Sequence, residues 1–221
     1  MKKFELTSET KKVFGRTFFR IKALISFGVI AKGEIGGWLE KEESLSQEGD
    51  AWVYGNARVY GNARVYGNAQ VYGNAQVYGN AWVYGNAQVH GDARVHGDAQ
   101  VYGNAQVYGN ARVHGDAWVY GDAQVHGDAR VHGDAQVHGD ARVHGDAWRT
   151  TPLQIQGTRH FVTMSAYGYL DIGCHKHTFQ EWEEQGDNIG DQEGYTIEQK
   201  VEYRLYLKLA IEIDKTMIKI K

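Results

Sequence analysis

Residues 51–146 repeat one six-residue unit, Ala-x-Val-Tyr/His-Gly-Asn/Asp, sixteen times without an insertion or a deletion. Ala147 and Trp148 begin a seventeenth copy. A fixed short period is the mark of a solenoid, in which each unit packs only on its neighbours. Alternation along a strand sends Val inward and the residues on either side of it outward. Gly-Asn and Gly-Asp turn the chain, because both residues tolerate positive φ. The next Ala points inward at a corner too tight for a larger side chain. Burying one Val contributes roughly 1.5–3 kcal/mol, whereas ordering the backbone costs about 1–2 kcal/mol per residue. No hexapeptide is stable alone, so coils stacked at about 4.8 Å must hold one another.

The variable position decides how many units close a coil. Every eighteenth residue gives a Gln-rich column (Trp52, Gln70, Gln88, Gln106, Gln124, Arg142), an Arg-rich column (Arg58, Gln76, Arg94, Arg112, Arg130, Trp148) and an alternating column (Arg64, Trp82, Gln100, Trp118, Gln136). Every twelfth residue mixes Trp, Arg and Gln. Three units per coil are therefore expected, giving slightly over five coils and a rod of about 25 Å. Later units replace Tyr-Gly-Asn by His-Gly-Asp at His90, His96, His114, His126, His132, His138 and His144. The rod is thus neutral at one end and densely charged at the other. Asp at the corner can accept a hydrogen bond from a neighbouring His.

The flanks read differently. Residues 1–38 alternate as strands, with Gly15 and Gly28 as breaks, and suit a cap over an open solenoid end that would otherwise recruit another chain. Residues 39–50 read as an imperfect first coil. Pro152, the only proline, sits at the boundary of a small α+β module over residues 149–221. Short strands are expected at 153–156, 160–164 and 169–173, followed by a short helix opened by a Thr178/Glu181 capping box. Gly186, Gly190 and Gly194 read as breaks before a long helix capped by Thr196 and Gln199. Its stripe of Ile197, Val201, Leu205, Leu209, Ile213 and Met217 is expected to pack on the sheet or the rod end, with a partner or homodimer contact as the alternative.

The Val-Tyr/His-Gly-Asn/Asp-Ala-x unit resembles the hexapeptide repeat of left-handed parallel β-helices, and more closely the YdcK-type β-solenoid repeats of bacterial and phage proteins. The lead-in Lys32-Gly-Glu-Ile-Gly-Gly-Trp-Leu-Glu-Lys41 and Leu45-Ser46 is similar to that family, as are Ile155-Gln-Gly157, Arg159-His160, Ile172-Gly-Cys174 and Trp182. The resemblance implies a mainly β fold: a three-sided, left-handed parallel β-helix with an N-terminal β cap (1–38), a rod (39–148) and the C-terminal module. It implies little about activity.

A formal charge of −3 and a pI near 6.4 argue against a general nucleic-acid binder, so no direct sequence-specific nucleic-acid partner is expected. One cysteine, Cys174, fits a reducing compartment, and no signal peptide or membrane span is visible. The expected setting is the cytoplasm of a bacterial or phage-infected cell. Seven equivalent histidines make a surface rather than an active site, so no cofactor and no catalytic residue is expected. Trp82 and Trp118 on one face and Arg94, Arg112 and Arg130 on another are of the types enriched at binding hot spots. The reading is a non-enzymatic interaction protein with a protein partner. Inhibition of a host defence system, through Asp rows that mimic a nucleic-acid backbone, is its sharpest form. The alternatives are an acyltransferase-like enzyme, and metal or thiol chemistry at Cys174 and His177 with His160 upstream.

Overall fold

The computed structural model of the chain describes residues 1–145, 147–148 and 151–218. Asp146, which ends the sixteenth repeat, and Arg149 and Thr150 of the expected boundary lie outside the described residues, as does the Met217 side chain of the expected stripe. Strands β1 (Phe4–Val13) and β2 (Arg16–Ala23) form an antiparallel hairpin. Phe14 and Gly15 turn it with φ of 50° and 76°, the two positive values of a type I′ turn. Strand β3 (Ile35–Leu39) pairs antiparallel with β2 and, on its other edge, parallel with the rod, so the hairpin continues one wall of the solenoid.

The rod contributes one short strand per hexapeptide, from β4 (Trp52–Val53) to β19 (Arg142–His144). Gln88 pairs in parallel with both Gln70 and Gln106, Arg112 with Arg94 and Arg130, and Gln100 with Trp82 and Trp118. Each coil therefore closes after eighteen residues, and the walls are sheets of nine, six and five strands. The rod has about six turns, somewhat more than the repeats alone supply. The extra coil comes from the degenerate lead-in: Trp38 and Leu39 align with Arg58 and Val59, and Leu45 bridges Val65. From Val53 to Val143 every repeat Val is fully buried, and the corner Ala residues are at most 1% exposed. Corner glycines stack too: at Gly79 (φ 74°) an added Cβ would lie 2.9 Å from the backbone N of Gly97.

Hydrogen bonding explains how the two ends are closed. Within the rod the N–H groups of the variable residue, the ring residue and the corner amide donate one coil onward, as from Arg58 to the Ala75 carbonyl, Tyr60 to Val77 and Asn62 to Gly79. Such a ladder leaves spare carbonyls at its start and spare N–H groups at its finish. At the start, buried Lys3 donates to the carbonyls of Ala51, Gly49 and Glu48 at 3.0, 3.2 and 3.4 Å. Burial pulls its ammonium down to about 8 although Asp50 pulls the other way. At the finish, Thr151 Oγ1 accepts from Gln136 N–H and Gln154 Oε1 accepts from His138 N–H, while Gln154 Nε2 donates to the Gln136 carbonyl. Each end is met by side chains of the complementary kind.

Two tryptophans depart from the outward columns expected for them. Trp52 is fully buried, edge-on to Phe4 and Phe27 of the N-terminal segment, which cover the first coil. Trp148, in strand β20 (Ala147–Trp148), pairs with Val131 rather than with Arg130, and is 1% exposed. A slip of one residue turns a strand's side chains to the other face. The indole thus takes the place of a Val, closes the core and stacks on Tyr167 at 5.4 Å.

Beyond the rod, β21 (Gln154–Gln156), β22 (Phe161–Ala166), β23 (Tyr169–Ile172) and β24 (His175–Thr178) form an antiparallel sheet in chain order. Helix α1 (Phe179–Gln192) begins at the expected capping box: Thr178 Oγ1 accepts from Glu181 N–H, and Glu181 accepts from Thr178 N–H. It runs through Gly186 and Gly190 rather than stopping there. Gly190 is buried against Lys200 of helix α2 (Ile197–Ile218), whose Cγ and Cδ would lie 3.1 Å from an added Cβ. Close helix approach, not a chain break, uses that glycine. The expected packing of the α2 stripe is reversed over its first four members, while Ile213 is partly buried against the core. Tyr203, Leu207, Ala210 and Asp214 are buried, whereas Ile197, Val201, Leu205 and Leu209 are 74, 47, 59 and 46% exposed.

Candidate functional site

Each wall of the rod presents three ladders: the variable residue, the ring residue and the corner residue. Tyr and His rings stack face to face along each wall, for example Tyr66–Tyr84 at 4.8 Å, His90–Tyr108 at 5.0 Å and His96–His114 at 4.9 Å. Tyr hydroxyls donate to the Gln side chain one coil on, as from Tyr72 to Gln88 and Tyr84 to Gln100. Corner Asn side chains donate along their own column and end on Asp: Asn62 to Asn80 to Asp98, and Asn86 to Asn104 to Asp122. Asp92, Asp98, Asp122 and Asp128 are thus met by Asn of the preceding coil. Most polar groups of the rod serve their neighbours.

Burial holds the pKa of His90, His96, His114 and His126 below the usual imidazole value. Stacked His114 and the adjacent Arg112 and Arg94 push His96 further the same way, and His132, Arg112 and Arg130 do so for His114. At these four positions burial favours the neutral imidazole, and neighbouring cations do so at all but His90.

Two features are left over. On the five-stranded wall Trp82 and Trp118 are 43 and 39% exposed, set edge-on to Tyr66 and Tyr102 at 6.3 and 6.4 Å. Both sit in register with Gln100 between them, so their separation is two coils, about 10 Å. On the nine-stranded wall the outward positions align as Arg20, Trp38, Arg58, Gln76, Arg94, Arg112 and Arg130. Lys11 and Arg20 lie over the Trp38 ring at 4.1 and 4.7 Å. Burial and the nearby Arg58 and Arg20 bring the Lys11 ammonium down to about 8. Sequence reasoning found Arg94, Arg112 and Arg130 but missed the hairpin's share of this stripe, because β2 and β3 carry no repeat to register them.

In the C-terminal module Cys174 is exposed and unpaired, ahead of β24. His175 pairs with Glu193 at 2.9 Å, His177 packs edge-on to Trp182, and His160 stacks on Tyr195 beside Gly173. Among the described residues no three His, Cys, Asp or Glu side chains converge in a group able to hold a metal ion, so Cys174, His177 and His160 are not brought together. A cavity of about 240 Å³ that sequence reasoning missed lies between α1, α2 and the sheet, floored by Ile172, Trp182, Ile189 and Leu207. Its only sequence signal is the Gly186/Gly190 spacing. Buried Asp171 accepts from Ser165 at 2.5 Å, and burial raises its carboxyl to about 6. No helix among the described residues is long and apolar enough to cross a membrane.

Compared with known families, the chain matches the YdcK β-solenoid repeat over residues 51–67, 57–73, 69–85, 75–103, 105–121 and 123–139. No curated protein matches it.

Proposed function

We propose that this YdcK-type β-solenoid protein is a non-enzymatic interaction module whose five-stranded wall grips a protein partner. One observation carries the reading: Trp82 and Trp118 stand exposed and in register on a flat wall, held edge-on by Tyr66 and Tyr102. Stacked Tyr and His rings, and Tyr–Gln and Asn–Asp bonds, occupy the polar groups around them. Exposed, pre-positioned Trp is the side chain most enriched at binding hot spots. Equivalent histidines along an uninterrupted coil do not single out a general base, and nothing on the rod favours an acyltransferase.

Nucleic-acid mimicry, and with it inhibition of a host defence system, is the weaker form of this reading. Arg94, Arg112 and Arg130 run beside the Asp rows and break the acidic surface such mimicry requires. The exposed α2 stripe gives the C-terminal module an apolar surface of its own, suited to a partner or a homodimer. Affinity capture from a bacterial lysate with wild type and with a Trp82→Ala/Trp118→Ala variant tests the wall. Loss of the captured proteins at unchanged circular dichroism supports it; the same proteins captured equally by both refutes it.

A further inference from the structure

The nine-stranded wall carries opposite charges in separate ladders. Arg94, Arg112 and Arg130 occupy its outward variable positions, in register and exposed. At the following corner Asp98, Asp116 and Asp134 form a second exposed column. Between them His96, His114 and His132 stack at 4.9 and 5.1 Å. Along the chain each of these three coils runs cation, imidazole, anion, and the corner ahead of the three arginines carries Asp92, Asn110 and Asp128 in turn. Among the described residues none of the three arginines is in an ion pair, and neither Asp116 nor Asp134 has a cation within ion-pairing distance. Each column repeats its own sign at the coil spacing, and no ion pair among the described residues offsets that repetition.

We infer that this wall docks a second copy of the chain, rod beside rod and parallel, so that the Arg ladder of each copy faces the Asp ladder of the other. A two-fold axis along the rod exchanges the left and right columns when two such walls meet face to face, which sets Arg opposite Asp on both sides and His opposite His between them. A two-fold axis across the rod would set Arg opposite Arg. An isologous contact must be self-complementary, and only the parallel arrangement is. The period selects the partner as well as the charge does. Two copies share one coil spacing, so all rungs come into register together, whereas an extended acidic strand presents carboxylates on one face only about every 6.6–6.8 Å. The parallel arrangement also brings both C-terminal modules to the same end. This contact uses a different wall from Trp82 and Trp118, so either reading can fail without the other.

The test is the molar mass of the full chain by light scattering or sedimentation, with three variants. Wild type is expected to dimerise at low salt and to weaken between about 0.1 M and about 1 M salt, where the screening length falls from about 10 to about 3 Å. Arg94→Gln/Arg112→Gln/Arg130→Gln places in this column the residue already tolerated at Gln76, and is expected to raise the dimer dissociation constant roughly ten- to hundred-fold. Two further variants give the two columns one sign: Arg94→Glu/Arg112→Glu/Arg130→Glu, and Asp98→Arg/Asp116→Arg/Asp134→Arg. Each alone is expected to be monomeric, and their mixture to form a heterodimer. Circular dichroism confirms that each is folded. A wild type that stays monomeric at low salt overturns the inference, including one that binds heparin instead. So does a dimer indifferent to the Arg→Gln change, or a mixture of folded variants that does not associate.

Discussion

Trp118 and Trp148 stand at the same position of the repeat, yet the structure gives them opposite fates, and replacing each by Ala separates them. Trp148 is 1% exposed, paired with Val131 across the wall and stacked on Tyr167, at the point where the Val core ends. Truncating a buried aromatic costs about 3–5 kcal/mol, a large part of a typical stability of roughly 5–15 kcal/mol. For a chain of this size each kcal/mol moves the melting midpoint by about 2–4 °C, so a fall of roughly 6–20 °C is expected. Trp118 is 39% exposed and touches mainly Tyr102. Its loss should cost about 1 kcal/mol or less, as an aromatic pair at the surface does. Thermal melts followed by circular dichroism measure both, and hydrogen exchange locates the loss: protection of the His132 amide, which donates to the Trp148 carbonyl at 2.8 Å, should fall in the Trp148 variant alone. Equal destabilisation by the two substitutions, or a larger one from Trp118, would refute the register slip and the plug built on it.

Gln154→Ala leaves the His138 N–H and the Gln136 carbonyl without partners at the end of the ladder, and is expected to destabilise by about 1–3 kcal/mol, read by urea denaturation; Gln136→Ala, on the wall itself, should stay within about 0.5 kcal/mol. The His columns give the rod an acid sensitivity of definite sign. His90, His96, His114 and His126 titrate below the ordinary value of 6.5, so as pH falls through 6.5 the unfolded chain takes up protons that the folded one refuses, and stability drops. Asp171, raised to about 6, acts in the opposite sense only as pH falls through 6. Melting midpoints at about pH 7.5 and pH 6 decide it, and a midpoint that holds or rises would contradict the neutral stack. On α2, Leu205→Glu and Val201→Glu should leave the monomer's melting midpoint within about 2 °C, since both side chains face outward; a loss of several degrees would mean that the stripe is packed after all.

The rod was legible because its physics is periodic. Period six, the Val–Ala interior and the eighteen-residue coil all follow from which residues recur, and the pairing of Gln88 with Gln70 and Gln106 is the column reading made explicit. The capping residues at Thr178 and Thr196 were legible for a local reason, since the spacing of three is itself the hydrogen-bonded geometry. What failed depended on neighbours that sequence does not place. Trp52 is inside because Phe4 and Phe27 come over it, and Gly190 stays helical because Lys200 lies against it. The α2 stripe was assigned inward because apolar spacing was taken to mean core, whereas Tyr203, Leu207 and Ala210 are the residues that pack.

The same contrast locates function. Inside the repeat most ring stacks and backbone hydrogen bonds are answered by a group one coil away, so the lattice is largely occupied along its axis and recognises something else across it. Departures from sameness mark where that happens. At Trp52 and Trp148 they close the ends of the core, whereas Trp82 and Trp118 alternate with Gln in mid-wall, where closure needs nothing. Arg and Asp, placed on one wall in columns that form no ion pair with each other, leave a charge pattern that the rod itself does not satisfy. A solenoid with no use beyond its own stability would carry Gln and Asn on every outward rung, as the Gln70–Gln124 column nearly does.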